Sequence, residues 1–296
     1  MPSLWFFYGY EMKFKIKPWA HQLEAINKAS LMEGYALFFE VGTGKTLTAV
    51  NIIRAKCYQK KRILRTLILC PPVVKENWKR EFLANSTIDP RKIDILEGPS
   101  KNRIKFLDES NNPIVITNYE SLGIKELFQS IKNKNFEAIV FDESHLLKNF
   151  RAKRTKAAIE LADKSEFKLL LTGTPILNTP MDIWSQFRIL DGGKTFDRNF
   201  FAFRARYFFD KNAGMPSQKY FPNWQPIKEL DKIFNAKIYK KAARVLKKDC
   251  LDLPPFVRKR VFTMLSPEQH RMYESMKKSF IAYLEDKACV AQIALT

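Results

Sequence analysis

The sequence has few cysteines and histidines and no long apolar run. The four cysteines, Cys57, Cys70, Cys250 and Cys289, lie far apart without paired spacing, and only three histidines accompany them. This pattern argues against a structural zinc site and indicates a reduced, intracellular protein. No apolar stretch approaches the roughly 20 residues that span a bilayer. The aromatic start at residues 1–10 lacks the basic segment that precedes the apolar run of a secretory signal.

Acidic residues are scarce relative to basic ones. The chain of 296 residues carries 51 Lys and Arg against 31 Asp and Glu, a formal charge of +20. Such a surplus favours a polyanionic partner, nucleic acid before an anionic membrane surface, although a basic protein without such a partner is the alternative. With 46% hydrophobic and 28% charged residues, the chain can bury a full core. Disorder, collagen and coiled coil are poor fits to this composition.

Short apolar runs alternate with helical patterns between Trp19 and Leu190. The predicted strands are Ala36–Phe39, Thr66–Cys70, Ile93–Leu96, Ile114–Thr117, Ala138–Phe141 and Lys168–Leu171. The predicted helices are Lys45–Gln59, Val74–Leu83, Lys101–Leu107, Ser121–Ile131, Ala152–Ala162 and Asp182–Leu190. Because strands alternate with helices, we predict an α/β fold with a mostly parallel sheet and helices on both faces.

The alternation ends after Leu190. The aromatic, basic stretch Thr195–Tyr220 has no strand pattern, and helix-like Ile227–Phe234 follows it. A strand is predicted over Val257–Phe262, and a last helix begins at about Pro267, with Ser266 as its cap. We therefore expect an N-terminal segment (1–17), an α/β lobe (18–190), a helical basic and aromatic insertion (191–253) and a strand–helix segment (254–296).

A glycine-rich loop follows the first predicted strand and opens a helix. It reads Phe39-Glu40-Val41-Gly42-Thr43-Gly44-Lys45-Thr46. Gly42 and Gly44 let backbone N–H groups approach a phosphate, and the helix N-terminus adds partial positive charge. In such a loop Lys45 reaches the β- and γ-phosphates and the Thr46 hydroxyl binds Mg²⁺. The strict pattern has glycine where Phe39 stands, so an incidental glycine-rich turn is the alternative.

Two carboxylates follow the buried strand Ala138–Phe141. Asp142 and Glu143 come directly after it, at the carboxyl end of the strand, where parallel α/β sheets bind ligands. Behind a phosphate loop, Asp142 is placed to hold Mg²⁺ and Glu143 to orient the attacking water. A helix N-cap pair is the structural alternative.

A third motif, Leu171-Thr172-Gly173-Thr174-Pro175, follows the next strand. Its two hydroxyls, on Thr172 and Thr174, are predicted to hydrogen-bond His145. Such bonds would link the nucleotide site to movement elsewhere in the molecule.

In this order, the motifs resemble those of the first RecA-like lobe of a superfamily-two helicase motor, and more narrowly the Swi/Snf-type branch of DNA translocases and chromatin remodellers. The resemblance extends over Pro18–Leu190 and, more loosely, Asp249–Tyr273. Further matching segments are Pro18-Trp19-Ala20-His21-Gln22, Leu69-Cys70-Pro71-Pro72-Val73-Val74, Asn77-Trp78, Glu81-Phe82, Ile116-Thr117-Asn118-Tyr119-Glu120, Asp142-Glu143-Ser144-His145-Leu146-Leu147-Lys148-Asn149, Leu171–Ile176 with Asn178 and Trp184, Leu253-Pro254-Pro255, and Leu265-Ser266 with Gln269 and Tyr273.

The resemblance implies a P-loop NTPase lobe that uses ATP and Mg²⁺, with Gln22 recognising adenine. The nucleotide would be held by Gln22, Gly42, Thr43, Gly44, Lys45 and Thr46, with catalysis by Lys45, Asp142 and Glu143. The metal ligands would be Thr46 and Asp142, and the coupling residues His145, Thr172 and Thr174.

The resemblance also implies duplex DNA bound through its backbone. The expected phosphate contacts are Lys75, Asn77, Lys79, Arg80, Thr117 and Asn118, all residue types that contact phosphates. The insertion residues Arg198, Arg204, Arg206, Tyr207 and Lys211 form either a second contact surface or part of a helical insertion that packs its phenylalanines on the lobe. The charges at Lys240, Lys241, Arg244, Lys247 and Lys248 are interpreted as one side of a helix, either solvated or facing phosphates.

Family members carry a second RecA-like lobe with an arginine finger, and 23 residues follow Tyr273. We therefore expect this chain by itself to bind ATP·Mg²⁺ weakly and to hydrolyse it slowly, with the second lobe supplied elsewhere in a longer protein or in trans. A strand-separating DNA or RNA helicase and an ATP-switched nucleic-acid-binding protein are the alternative functions; Glu143 argues against the latter. The protein is expected in the cytoplasm if bacterial or viral and in the nucleus if eukaryotic, without a membrane.

Overall fold

A computed structural model of the chain describes residues 13–176, 178–215, 221–250, 259 and 261–278, and the backbone of 6–7, 10–11, 279, 281–284 and 287–290. The chain divides into two compact units, Met1–Asp252 and Leu253–Thr296. Within the described residues, no helix is both long and apolar enough to cross a membrane.

The strands and helices follow one another along the chain as expected for repeated βαβ units. The strands are β1 (Phe6–Phe7), β2 (Tyr10–Glu11), β3 (Gly34–Phe39), β4 (Thr66–Leu69), β5 (Ile93–Ile95), β6 (Ile114–Thr117), β7 (Ala138–Asp142), β8 (Phe167–Leu171), β9 (Phe208–Asp210), β10 (Trp224–Pro226), β11 (Ala242–Val245), β12 (Ile281–Leu284) and β13 (Lys287–Val290). The helices are α1 (Ala20–Ser30), α2 (Lys45–Lys60), α3 (Lys75–Asn85), α4 (Ser100–Glu109), α5 (Lys125–Asn133), α6 (Lys153–Lys164), α7 (Ile183–Asp191), α8 (Phe200–Tyr207), α9 (Leu230–Ile238), α10 (Lys247–Cys250) and α11 (Pro267–Ser279).

A seven-stranded sheet forms the centre of the first unit, in the order β11-β3-β8-β7-β4-β6-β5. Every neighbouring pair in it is parallel. Successive residues of one strand enter different cores: Leu67 and Leu69 of β4 pack on one face, and Ile68 packs on the other. Burial on both faces explains why strands such as β3 and β4 consist almost entirely of apolar residues. The predicted fold class is therefore confirmed.

The two faces of the sheet are covered by different helices. Helices α1, α2 and α3 pack on one face with Ile26, Val50 and Phe82. Helices α5, α6 and α7 pack on the other, together with the aromatic insertion. Each fully buried side chain of this size contributes about 1.5–3 kcal/mol to folding. The carboxyl ends of β3, β7 and β8 thereby lie side by side at one rigid edge.

The six predicted central strands are confirmed to within two residues at each end, and five of the six predicted helices agree closely. The helix predicted over Ser121–Ile131 begins too early. Residues 119–123 form a 3-10 turn, in which Ser121 Oγ bonds Asn118 Oδ1, and α5 starts only at Lys125. The helix predicted over Ile227–Phe234 starts late, at Leu230, because Glu229 has a left-handed backbone with φ of 59°.

Two features of the insertion were not predicted. The stretch Thr195–Tyr220 contains strand β9, which forms an antiparallel pair with β10. Strand β11 joins the edge of the main sheet beside β3, with Ala242 opposite Ala36 and Val245 opposite Phe39. The interpretation of the charges at residues 240–248 as one side of a helix is therefore wrong, because residues 242–245 are extended. The domain boundary at residue 190 stays a prediction, although β11 belongs to the sheet of the lobe.

The second unit contains α11, which confirms the helix predicted from Pro267, and the antiparallel pair β12–β13. The Ser266 hydroxyl accepts a hydrogen bond from the Gln269 N–H, as expected of a cap. The motif Leu253-Pro254-Pro255 lies outside the described residues. So does most of the strand predicted at Val257–Phe262, and its described positions 259, 261 and 262 form no strand.

Candidate functional site: a nucleotide cleft at the sheet edge

The glycine-rich loop lies between the end of β3 and the start of α2. Gly42 and Gly44 have left-handed backbones, with φ of 89° and 82°. The Thr43 hydroxyl donates to the Glu40 carbonyl at 2.8 Å, closing the turn from within. Lys45 folds back over the loop and its Nζ donates to the Phe39 carbonyl at 3.0 Å. These bonds hold the loop in a curved form at the N-terminus of α2, where anions bind.

The loop is supported from the side by the segment before α1. Gln22 is buried, its Nε2 donates to the Thr43 carbonyl at 3.2 Å, and its Oε1 accepts from the Trp19 N–H at 2.9 Å. His21 Nε2 lies 3.0 Å from the same Thr43 oxygen. A Cβ at Gly44 would lie 2.1 Å from Gln22 Nε2, so the glutamine side chain fills the space that glycine leaves. Gln22 therefore supports the glycine-rich loop, and its predicted recognition of adenine stays a prediction.

Asp142 is held on three sides at the end of β7. Its Oδ2 accepts from the Trp78 indole N–H at 2.9 Å, and its Oδ1 accepts from the Glu143 N–H at 3.0 Å. The Tyr119 hydroxyl donates to its backbone carbonyl at 2.6 Å. Burial raises the pKa of Asp142, and the Trp78 hydrogen bond opposes that rise. The arrangement fixes the direction of this carboxylate.

Glu143 lies in a small network with the third motif. His145 Nδ1 lies 3.2 Å from Glu143 Oε2 and 3.0 Å from Thr172 Oγ1. The hydrogen bond with His145 holds the pKa of Glu143 below its ordinary value, against the effect of partial burial. The predicted hydrogen bond between His145 and the Thr172 hydroxyl is therefore confirmed, whereas the one predicted for the Thr174 hydroxyl is not present among the described residues. Thr174 enters the network through its backbone N–H, which donates to Thr172 Oγ1 at 3.1 Å.

A cleft of about 480 Å³ lies in front of these groups. Its lining includes the predicted nucleotide and catalytic residues Gln22, Gly42, Gly44, Lys45, Thr46, Asp142 and Glu143. A carboxylate, a hydroxyl and a lysine in one cleft are the donor set that suits Mg²⁺ and a polyphosphate. The residues therefore fit the expected ATP and Mg²⁺.

The six predicted DNA contacts differ in their exposure to solvent. Lys75 is buried, with Nζ 2.9 Å from Glu97 Oε1 and 3.2 Å from the Leu96 carbonyl. Asn77 lines the nucleotide cleft. Arg80 is exposed and Lys79 is half-buried, so these two residues of α3 face solvent at least in part.

The other two expected DNA contacts follow β6. Thr117 is fully buried, and its hydroxyl lies 2.8 Å from Ser121 Oγ. Asn118 Oδ1 accepts from Ser121 Oγ at 2.7 Å and from Arg103 Nη1 at 3.4 Å. In this conformation Thr117 stabilises the turn and its side chain is not accessible to a phosphate.

The insertion packs its aromatic rings on the lobe. Phe196, Phe203 and Phe234 are buried and in mutual contact, and Tyr207 is buried among them. This confirms the packing interpretation of these phenylalanines. Of the basic residues there, Arg204 lies over the Trp224 ring at 3.9 Å and Arg206 Nη1 lies 3.3 Å from Asp197 Oδ2; Arg198 and Lys211 belong to the same insertion. A DNA role for these cations stays a prediction.

Two contacts at the site were missed by sequence reasoning. Trp78 was matched as a motif residue without a role, and Glu40 was passed over as part of the loop. Glu40 Oε2 accepts from the Lys247 N–H at 2.6 Å, and the Glu40 N–H donates to the Val245 carbonyl at 3.0 Å. A carboxylate beside the glycine-rich turn could have marked Glu40 as a residue that accepts a hydrogen bond. Its partner could not be identified from the sequence, because it lies 207 positions away.

Comparisons with known proteins agree with this geometry. The family model of the SNF2-related domain matches residues 16–294. A SWI/SNF-related matrix-associated actin-dependent regulator of chromatin subfamily A-like protein 1 homolog of Caenorhabditis elegans is 34% identical over 177 residues, 57% of this chain and 23% of that protein. The TATA-binding protein-associated factor 172 of Homo sapiens is 26% identical over 283 residues, 88% of this chain and 15% of that protein.

A solved structure shares the fold. The Sulfolobus solfataricus SWI2/SNF2 ATPase core in complex with dsDNA aligns with a TM-score of 0.64 and 24% identity, over 90% of this chain and 53% of that one. The chain thus spans about half of that structure and under a quarter of the two relatives above. On the family match over residues 16–294, the chain belongs to the SNF2-related domain family.

Proposed function

We propose that this chain is the ATP-binding motor lobe of a DNA-dependent ATPase that translocates on double-stranded DNA. The observation that carries the proposal is the single cleft in which Gln22, Lys45, Thr46, Asp142 and Glu143 meet. Family membership supports the same interpretation. A nucleotide-switched binding protein has no need of Glu143, which is oriented here by His145.

Each residue of the cleft has a separate task in this proposal. The loop N–H groups and Lys45 bind the β- and γ-phosphates, and Gln22 holds the loop while recognising the base. Thr46 and Asp142 hold Mg²⁺, which when bound neutralises charge on the phosphates. Glu143, kept ionised by its lowered pKa, orients and polarises the attacking water.

Duplex DNA is the proposed partner of the motor. The formal charge of +20 supports a polyanion, and the similar Sulfolobus solfataricus core was solved with dsDNA. If the protein contacts only the sugar–phosphate backbone of DNA, its affinity for DNA should fall steeply with salt and change little with base sequence. Of the six predicted contacts, Asn77 and Arg80 are exposed, and Lys79 and Asn118 are half-buried.

The test is ATP hydrolysis without nucleic acid and with duplex DNA, single-stranded DNA or RNA. We expect a slow basal rate, because an arginine finger from a second RecA-like lobe adds roughly 10³–10⁵-fold in such enzymes. Duplex DNA should raise the rate most, and Glu143→Gln should lower it by about 10²-fold or more while ATP still binds. Glu126→Gln, an exposed carboxylate on α5, is the matched control.

The alternatives give other results. Stimulation by single strands or RNA above duplex would favour a strand-separating helicase. Equal turnover by Glu143→Gln and the unaltered protein would refute the catalytic assignment. A basal rate as high as that of intact motors would refute the expected need for a second lobe.

A further inference from the structure

The indole of Trp78 joins helix α3 to the carboxylate at the end of β7. Trp78 is fully buried, between core residues of α3 and the sheet, and its Nε1–H donates to Asp142 Oδ2 at 2.9 Å. An indole nitrogen is a donor only and cannot accept a proton or bind a cation. Trp78 borders the cleft, but its side chain is 0% exposed, so its effect on a reaction passes through the group that it holds.

The remaining contacts of Asp142 do not replace this bond. The Glu143 N–H binds Oδ1, on the other side of the carboxylate, and Tyr119 binds the backbone carbonyl. Without the indole N–H, Oδ2 would be a buried charged oxygen that has lost its donor. Only the bond from the Glu143 N–H to Oδ1 would then oppose rotation of the carboxylate about its last bond. A carboxylate has about four acceptor positions, so two accepted N–H groups leave room for a cation.

We propose that Trp78 is a positioning residue that orients Asp142 for Mg²⁺ through the bond from its indole N–H to Oδ2. The inference rests on the proposed function, because it takes Asp142 as a ligand of Mg²⁺. Groups that orient a metal ligand from behind typically change metal affinity by about 10–100-fold when removed. Trp78 acts in this way from α3, the helix that also presents Asn77 to the cleft.

The experiment measures the affinity for a fluorescent, non-hydrolysable ATP analogue with and without Mg²⁺. The ratio of the two affinities, the magnesium-dependent gain, is the readout, and it does not depend on turnover. We expect Trp78→Phe to lower the gain by about tenfold and to leave the magnesium-free affinity unchanged.

The matched control is Phe82→Leu, one turn further along α3. Phe82 is also buried and its ring centroid lies 6.3 Å from that of Trp78, so this change loosens the same core without touching Asp142. We expect it to leave the gain unchanged. An equal loss in Phe82→Leu and Trp78→Phe would mean that packing, and not the N–H group, is responsible, and would overturn the inference.

A second variant removes the N–H group and keeps the two-ring shape. Trp78→3-benzothienylalanine, made by amber suppression, replaces the indole N–H by sulfur, so the core remains filled even if Trp78→Phe fails to fold. We expect the same tenfold loss of gain, and an unchanged gain overturns the inference.

Asp142→Asn distinguishes a failure of the proposed function from a failure of the role assigned to Trp78. If this variant retains the full gain, Asp142 is not a magnesium ligand and the proposed function fails at that residue. If it loses the gain and the benzothienyl variant does not, only the role of Trp78 is wrong.

Discussion

Replacing Gly44 by alanine should destabilise the chain, because the new side chain would displace Gln22. An alanine at position 44 would adopt an unfavourable left-handed backbone, and its Cβ would lie 2.1 Å from Gln22 Nε2. The glutamine would have to move and would lose its bonds to the Thr43 carbonyl and the Trp19 N–H. Gly42 offers the matched comparison, since its φ is 89° but a Cβ there would meet only Lys247 Cε, at 3.8 Å.

The expected change in the free energy of unfolding is the sum of a backbone cost and the cost of the lost hydrogen bonds. A left-handed alanine costs about 1 kcal/mol, and each lost hydrogen bond costs about 1 kcal/mol. Gly44→Ala should therefore destabilise the chain by about 3 kcal/mol and Gln22→Ala by about 2 kcal/mol. The double variant should lose about 3 kcal/mol instead of about 5, because the bonds of Gln22 are lost only once.

The assay is urea unfolding followed by circular dichroism without nucleotide, so that ligand affinity does not enter. The double variant of Gly44 and Gln22 should show a coupling of about 2 kcal/mol. Gly42→Ala should cost about 1 kcal/mol and add to Gln22→Ala without coupling. Additive behaviour at Gly44, within about 0.5 kcal/mol, would refute the contact on which the reasoning depends.

Two further predictions concern a surface ion pair and the hydroxyl of the third motif. Hydrogen bonds from Arg62 lower the pKa of Glu137 from 4.5 to about 2, so Glu137→Gln should destabilise the chain by about 1 kcal/mol at pH 7, the pair being partly exposed. The difference should disappear as pH falls from about 4.5 to about 2 in urea melts, and a difference that is independent of pH would contradict it. Thr172→Val removes the hydroxyl that contacts His145 and should lower ATP turnover about tenfold, the equivalent of one hydrogen bond of about 1.4 kcal/mol, with ATP affinity unchanged. Thr174→Val is the control for Thr172, since position 174 uses its backbone N–H, and equal losses in the two would count against this assignment.

The central sheet could be predicted from sequence because each inner strand is a short apolar run that is buried on both faces. Strand β11 could not. Its residues Ala242–Val245 include an exposed arginine, and its place at the edge depends on pairing with β3, about 200 residues earlier. Local pattern carries little information on such a pairing. The start of α5 was also missed, because the side chains of Asn118 and Ser121 stabilise a turn in place of the first helical residues.

The meeting of the candidate nucleotide-binding residues in one cleft could largely be predicted, because they follow strands whose carboxyl ends meet at one edge of the sheet. The DNA contacts were less so. Residue type suggested Lys75 and Thr117 as DNA contacts. In the structure Lys75 is paired with Glu97, and Thr117 lies inside the turn after β6. Exposure and pairing depend on tertiary neighbours that a motif does not show. The same holds for Trp78, whose partner Asp142 is 64 positions away.

The edge strand β11 and the bond from the Lys247 N–H to Glu40 have a mechanical consequence. Residues 242–247 are attached to the sheet edge by the four residue pairs of β11 with β3 and by the bond from the Lys247 N–H to Glu40. All of them are made to β3 or to the loop that directly follows it. A displacement of residues 242–247 would therefore act directly on β3 and on the glycine-rich loop that follows it.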